Sequence, residues 1–409
     1  MSPRARHLWL LALAALALRA PLLLLSPGAE YDITSYAHAA GINGPGLYSA
    51  AETAGRYPYL PLWWLILKGL KVLADTFGNF GLWSRLPGVA GDLAISALLY
   101  LLVERRSRSS AALSAGPDAP RSAKAGLIAG LGWALNPVAA IISAAHGQFD
   151  SLALALLLGA AWQLEYADDP RAELWAGLCL ALAVALKTWP LAFLPFYLAV
   201  FPSARERVRF AGIVLLPPLL LLLPWLLMDG PLNVLARISY SGATALGFSG
   251  ALRASFFAVE APVALYRQVD DAWRSLALGG LAAAFAWGLL QSRRLRLLDG
   301  LAWGALTLLL LAPGLSPQYL GWPIAFALLR PGGPAWRLTL ASLPLLVAFY
   351  ALFMPPVLAG AAAWAPPRVP PLYYLLWAAA NLAWCFFVAV EWVHLLRLNL
   401  APRRDHVFR

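Results

Sequence analysis

The sequence predicts an all-α polytopic membrane protein, and three observations carry that prediction. Apolar residues fill 61% of the 409 positions. Charged residues fill only 12%, about half the share of a soluble domain. The apolar residues also come in runs of roughly 15 to 22, the length that crosses a hydrocarbon core of about 30 Å as a helix. Disorder, collagen and a small disulfide scaffold are excluded on the same grounds.

About twelve spans are expected: 8–25, 85–103, 125–144, 149–165, 174–189, 190–202, 210–228, 272–291, 298–313, 318–330, 335–353 and 372–396. The first begins after Arg4-Ala5-Arg6-His7 and resembles a signal peptide. It runs on past Arg19, however, and Pro27 suits a cleavage site badly, so it reads as a retained helix. Pro190 and Pro195 make 174–202 a broken or tilted hairpin. Residues 57–74 end in Lys68 and Lys71 and read as an amphipathic helix lying in the interface. A span there would put the basic run 104–108 outside, against the positive-inside rule. With 57–74 in the interface, basic residues favour the inner loops two to one and both termini are cytoplasmic. The whole chain, 1–409, then reads as one integral membrane domain. Its bulk is external, in a first outer loop over 26–84 that carries interfacial helices and a second over 229–271. Residues 107–123 form a Ser/Ala/Pro/Gly linker on the inner side.

The net charge of +11 follows the loops that flank the spans. It reads as topology and not as nucleic-acid binding. Cys179 and Cys385 lie within apolar runs, as packing residues. No phosphate loop, dinucleotide fingerprint, Gly-x-Ser-x-Gly elbow or zinc spacing is present. No cofactor or metal is expected.

The candidate chemistry gathers on the outer side. Glu30-Tyr31-Asp32-Ile33 follows the first span. A carboxylate there, partly stripped of water beside aromatic rings, is suited to act as a general base. Asp32 reads equally well as the cap of a helix starting near Ile33. Arg56-Tyr57-Pro58-Tyr59 with Trp63-Trp64 suits anchoring at the headgroup level, or a platform guiding a lipid substrate. His146-Gly147-Gln148-Phe149-Asp150 reads as a tight turn bent by Gly147, with Asp150 capping the next helix. His146 and Gln148 are free to bond a sugar or phosphate. Lys187 closes the fifth span as a snorkelling lysine or a phosphate contact. Arg237, Tyr240, Arg253 and Arg267 occupy the second outer loop, and Ser316-Pro317-Gln318-Tyr319 opens the tenth span. Arg19 and Asp92 each lie about 10 Å below the outer surface. They are expected to pair, since a lone charge there is costly. Glu391, the third ionisable group within a span, faces either a cavity or another helix.

This order of motifs resembles the GT-C glycosyltransferases. The resemblance is to the polyprenol-phosphate-mannose-dependent branch, glycosyltransferase family 87 and the relatives of the second mannosyltransferase of GPI-anchor synthesis. It runs through Tyr31-Asp32…Tyr36, Tyr57-Pro58-Tyr59-Leu60-Pro61-Leu62, Arg85…Gly91-Asp92-Leu93 and Leu135-Asn136-Pro137. It continues through Gly147-Gln148-Phe149-Asp150-Ser151, Leu186-Lys187-Thr188 and Ser316-Pro317-Gln318-Tyr319, covering most of 25–325. Many relatives read Tyr-Pro-Pro-Leu where this chain has Tyr59-Leu60-Pro61-Leu62. The resemblance implies a polyprenyl-phosphate sugar, mannose, as donor and Asp32 as the base. It implies neither a nucleotide sugar nor an obligatory metal.

The expected reaction is transfer of the sugar to an acceptor hydroxyl at the extracytoplasmic face, with inversion. The expected substrate contacts are Tyr36, Tyr57, His146, Gln148, Asp150, Lys187, Arg237, Arg253 and Gln318. Expected partners are membrane lipid, the lipid-linked donor and a glycolipid, glycan or protein acceptor. The short inner loops point to a bacterial inner membrane. A transporter or lipid-sugar flippase is the alternative, and it calls for inverted repeats and midplane polar groups that the sequence does not display. A purely structural component would leave the outer polar cluster without a role.

Overall fold

The computed structural model describes residues 1–44, 46–53, 56–112, 119–239, 246–291, 296–330, 334–354, 356–359 and 370–400. The centre of the 107–123 linker, Tyr240, Arg368 and the basic tail lie outside these residues. The described residues contain no strand. The helices are α1 (Pro3–Leu25), α2 (Glu30–Gly41), α3 (Pro61–Phe77), α4 (Phe80–Ala112), α5 (Ala119–Ala134), α6 (Pro137–Ala140), α7 (Asp150–Tyr166), α8 (Ala172–Leu186) and α9 (Leu194–Leu198). There follow α10 (Ala204–Met228), α11 (Pro231–Ile238), α12 (Gly247–Ala258), α13 (Val263–Gln291), α14 (Leu297–Leu311), α15 (Trp322–Leu328), α16 (Ala335–Phe353), α17 (Pro356–Ala359) and α18 (Pro371–Leu400).

Nearly every expected span coincides with helix, but fewer are full-length. Among the described residues, α1, α4, α10 and α18 are long and apolar enough to cross a bilayer. The α5 helix with the segment Pro137–His146 makes a fifth if the pair, bent by 43°, is counted as one. Chain breakers account for two of the shortfalls from twelve. Pro190 and Pro195 leave only a 3₁₀ turn (Trp189–Phe193) and α9 where 190–202 reads as a span. The tenth expected span is likewise a 3₁₀ turn, Pro317–Gly321, followed by seven residues of α15. Apolar side chains point outward along the longer helices, Leu13, Leu24, Leu216, Leu219, Leu227 and Phe386 among them. Exposure on that scale is stable only where the surroundings are themselves apolar, so the chain is an integral membrane protein.

Asp92 on α4 ties the first helices together. Arg19 Nε donates to Asp92 Oδ2 at 2.7 Å, Ser143 Oγ to the same oxygen at 2.5 Å, and Trp133 Nε1 to Oδ1 at 3.1 Å. Arg19 Nη1 also donates to the Ala134 carbonyl at 2.6 Å. The pairing expected from depth alone is therefore present, completely buried. Glu391 faces another segment, where it pairs with Arg330.

Two turns above Asp92, Arg85 donates to the carbonyls of Gly81, Ala144 and Leu23, each at 2.8 Å. These carbonyls belong to three separate segments, so α1, α4 and the stretch before His146 are fixed in register. That stretch, Ile141–His146, is a π-helical turn, a form that recurs at functional sites. Gly147 then adopts φ +101°, a conformation that strains any residue with a Cβ. Residues 148–152 lie directly on α4. A Cβ at Gly88 or Gly91 would run into the backbone of Gln148 or Leu152.

The α3 helix packs one apolar face inward. It buries Trp63, Leu67 and Ala74 on one side. Lys68 Nζ donates to Asn43 Oδ1 and Lys71 pairs with Asp75. The loop before it is clipped to α10 and α11. Asp229 accepts from the backbone N–H of Gly46 and Tyr48, at 2.6 and 2.8 Å.

Candidate active site

Asp32 sits in the first turn of α2, whose N-cap is Ala29. No side chain caps this helix, so the capping reading of Asp32 falls. The carboxylate points instead across to the π-helical turn, where His146 Nε2 lies 2.6 Å from Asp32 Oδ2. On the far side of the ring, Nδ1 lies 2.5 Å from the Tyr350 hydroxyl of α16. An ionised carboxylate only accepts, so in that state Nε2 donates to Asp32. The backbone closes the same contact, because Ala29 N–H donates to the His146 carbonyl at 2.8 Å. His146 is 2% exposed while the Asp32 side chain is 15% exposed. One carboxylate oxygen is thus held rigidly and the other accepts no hydrogen bond from a described residue.

That opening faces a cavity of about 190 Å³. Its walls come from five separated segments: Tyr31 and Asp32; Arg56, Pro58 and Tyr59; His146 and Gln148; Ser316, Pro317 and Gln318; and Phe349 and Met354. Burial pushes the Tyr59 hydroxyl well above its ordinary range, with the neighbouring Asp32 charge acting in the same direction. The hydroxyl therefore stays neutral at working pH. Behind this wall lies an aromatic stack in which Trp63 and Phe149 rings are parallel at 3.6 Å and Tyr36 meets Trp63 edge-on.

The residues expected at the site divide clearly. Asp32, His146, Gln148 and Gln318 line the cavity. Lys187 and Asp150 stand one layer back, where Lys187 Nζ donates to Asp150 Oδ2 at 2.5 Å and to Gln148 Oε1 at 3.1 Å. The lysine also lies over the Phe149 ring. Asp150 opens α7, but its carboxylate is taken by Lys187 instead of capping the helix. Tyr36 and Tyr57 are buried in the wall, and the Tyr57 hydroxyl donates to the Leu60 carbonyl. Arg237 and Arg253 do not reach the cavity. Arg237 Nε donates to the Tyr48 carbonyl, bracing the loop against α11, and Arg253 lies over the Phe257 ring within its own helix. Loop charges of this kind carry no positional signal in sequence.

Tyr350 and Arg56 are the residues that sequence reasoning missed. Tyr350 looks like one more apolar position in a span. Arg56 stands in the Arg-Tyr-Pro-Tyr run, where it reads as a membrane anchor.

A carboxylate locked by a His–Tyr pair, open to a small cavity, is suited to accept a proton from a hydroxyl. The model of glycosyltransferase family 87 matches residues 57–313. The chain belongs to glycosyltransferase family 87. It is therefore a membrane glycosyltransferase, and the transporter reading is not favoured. No curated protein matches the chain. The family 87 match contains His146, Gln148, Asp150 and Lys187, whereas Asp32 precedes it and Tyr350 follows it.

Proposed function

We propose that this enzyme moves a sugar, mannose by its resemblance, from a polyprenyl phosphate to an acceptor hydroxyl at the extracytoplasmic membrane surface. The observation that carries the reading is Asp32, with one oxygen fixed by His146 and the other open to the cavity. The acceptor oxygen attacks the anomeric carbon as its proton passes to Asp32. The bond from that carbon to the phosphate oxygen breaks, and the leaving group departs as polyprenyl phosphate. Attack from the face opposite the phosphate inverts the anomeric centre.

The cavity lies below the range of about 300–1,000 Å³ usual for a whole ligand. It suits a single sugar ring, with the lipid chain lying outside against apolar helix faces. The proposed step uses neither a metal nor a nucleotide. The shorter helices complete the crossing to about twelve spans, with both termini cytoplasmic in a bacterial inner membrane. Acceptors of the class include glycolipids, glycans and proteins.

The experiment supplies radiolabelled polyprenyl-phosphate mannose to detergent-solubilised enzyme with a membrane extract as the acceptor source. Label should leave the donor and enter a product of opposite anomeric configuration. Transfer from a nucleotide sugar, with the lipid donor inert, overturns the proposal.

A further inference from the structure

A leaving phosphate needs a cation, and the three expected to supply it are engaged elsewhere. Lys187 is neutralised by Asp150 one layer behind the cavity. Arg237 braces Tyr48, and Arg253 lies over Phe257. Among the described residues that line the cavity, one is a lysine or arginine, and it is Arg56.

Arg56 is half-buried in the turn before Pro58. Its guanidinium Cζ lies 4.8 Å over the ring of Tyr31. It makes no ion pair or side-chain hydrogen bond with a described residue. Stacking on an aromatic face fixes the plane of the guanidinium and leaves its N–H edge free. That edge is the part that grips a phosphate through two parallel bonds. Tyr31 immediately precedes Asp32 on α2, so the cation and the base are placed by the same helical turn. The base itself is held by His146, which is in turn bonded to Tyr350.

We propose that Arg56, stacked on Tyr31, is the anchor for a phosphate monoester in the cavity, the lipid-linked phosphate of the donor. The inference rests on the donor reading above and adds a residue to it. The charge develops on the phosphate as its bond to the sugar breaks, so Arg56 acts on binding and on the transition state together.

The test measures binding to the full-length solubilised enzyme without turnover, with polyprenyl phosphate, the matching polyprenol and inorganic phosphate as probes. Wild type should prefer polyprenyl phosphate to polyprenol. Arg56→Gln should weaken polyprenyl phosphate binding about tenfold or more, the loss expected for a charge-assisted pair. Arg56→Lys should fall between, because it keeps the charge and loses the fork. An unchanged unfolding midpoint shows that both variants are folded. Equal binding by Arg56→Gln and wild type overturns the anchor and leaves the donor reading standing. Failure of wild type to bind any of the three overturns both. If inorganic phosphate binds as tightly as the lipid and both are lost in Arg56→Gln, the anchor stands and the lipid donor falls.

Discussion

Asp92 and Asp32 hold the same chemical group in opposite states of completion. Each accepts one short bond from a basic ring or guanidinium, Arg19 for Asp92 and His146 for Asp32. Asp92 goes on to use both oxygens, with Ser143 and Trp133 as further donors, and is sealed from solvent. Among the described residues Asp32 has one partner, and it turns its other oxygen to the cavity. A saturated carboxylate is a structural tie. An unsaturated one held on a single side is poised to take a proton from outside.

The comparison breaks most visibly at Asp92. Asp92→Asn strands a buried guanidinium, a change that costs roughly 3–5 kcal/mol. It should appear as a large fall in the unfolding midpoint or in folded yield from detergent. The double variant with Arg19→Met should recover part of the loss. Equal destabilisation by single and double variants would mean that the pair is not coupled.

Asp32→Asn should show the reverse pattern. Transfer falls about 100-fold or more as the base is lost, while the unfolding midpoint stays near wild type. Near-normal transfer would return Asp32 to an ordinary surface role.

The smallest effect belongs to Tyr350→Phe. It deletes one hydroxyl that orients His146, worth about 1 kcal/mol, or roughly fivefold in rate. Its signature is a lower kcat at unchanged KM, since Tyr350 lies behind the histidine and not in the cavity. A change confined to KM would show that the tyrosine touches substrate.

Much of this arrangement is legible in the residues themselves. Depth and cost alone pair Arg19 with Asp92. The polar motifs that gather between spans supply Asp32, His146, Gln148 and Gln318. Hydropathy misjudges span length where Pro190, Pro195 and Pro317 break helices that remain apolar in composition. Pairing across long separations is invisible to it as well. Nothing local in sequence tells Tyr350 that its partner lies 204 positions away, or that Lys187 spends its charge on Asp150 while Arg56 keeps its own. Arg237 and Arg253 carry the same charge as Arg56, and only tertiary contacts separate brace from binder.

The five-segment construction of the cavity has a consequence for biosynthesis. Its walls begin at Tyr31 and finish at Met354, so a chain emerging from the ribosome owns its acid long before it owns a place to use it. The second half of translation supplies Gln318, Phe349 and the tyrosine that steadies the histidine. On the proposed mechanism a truncated or half-inserted copy cannot consume donor, and the cell is spared stray sugar transfer from unfinished protein.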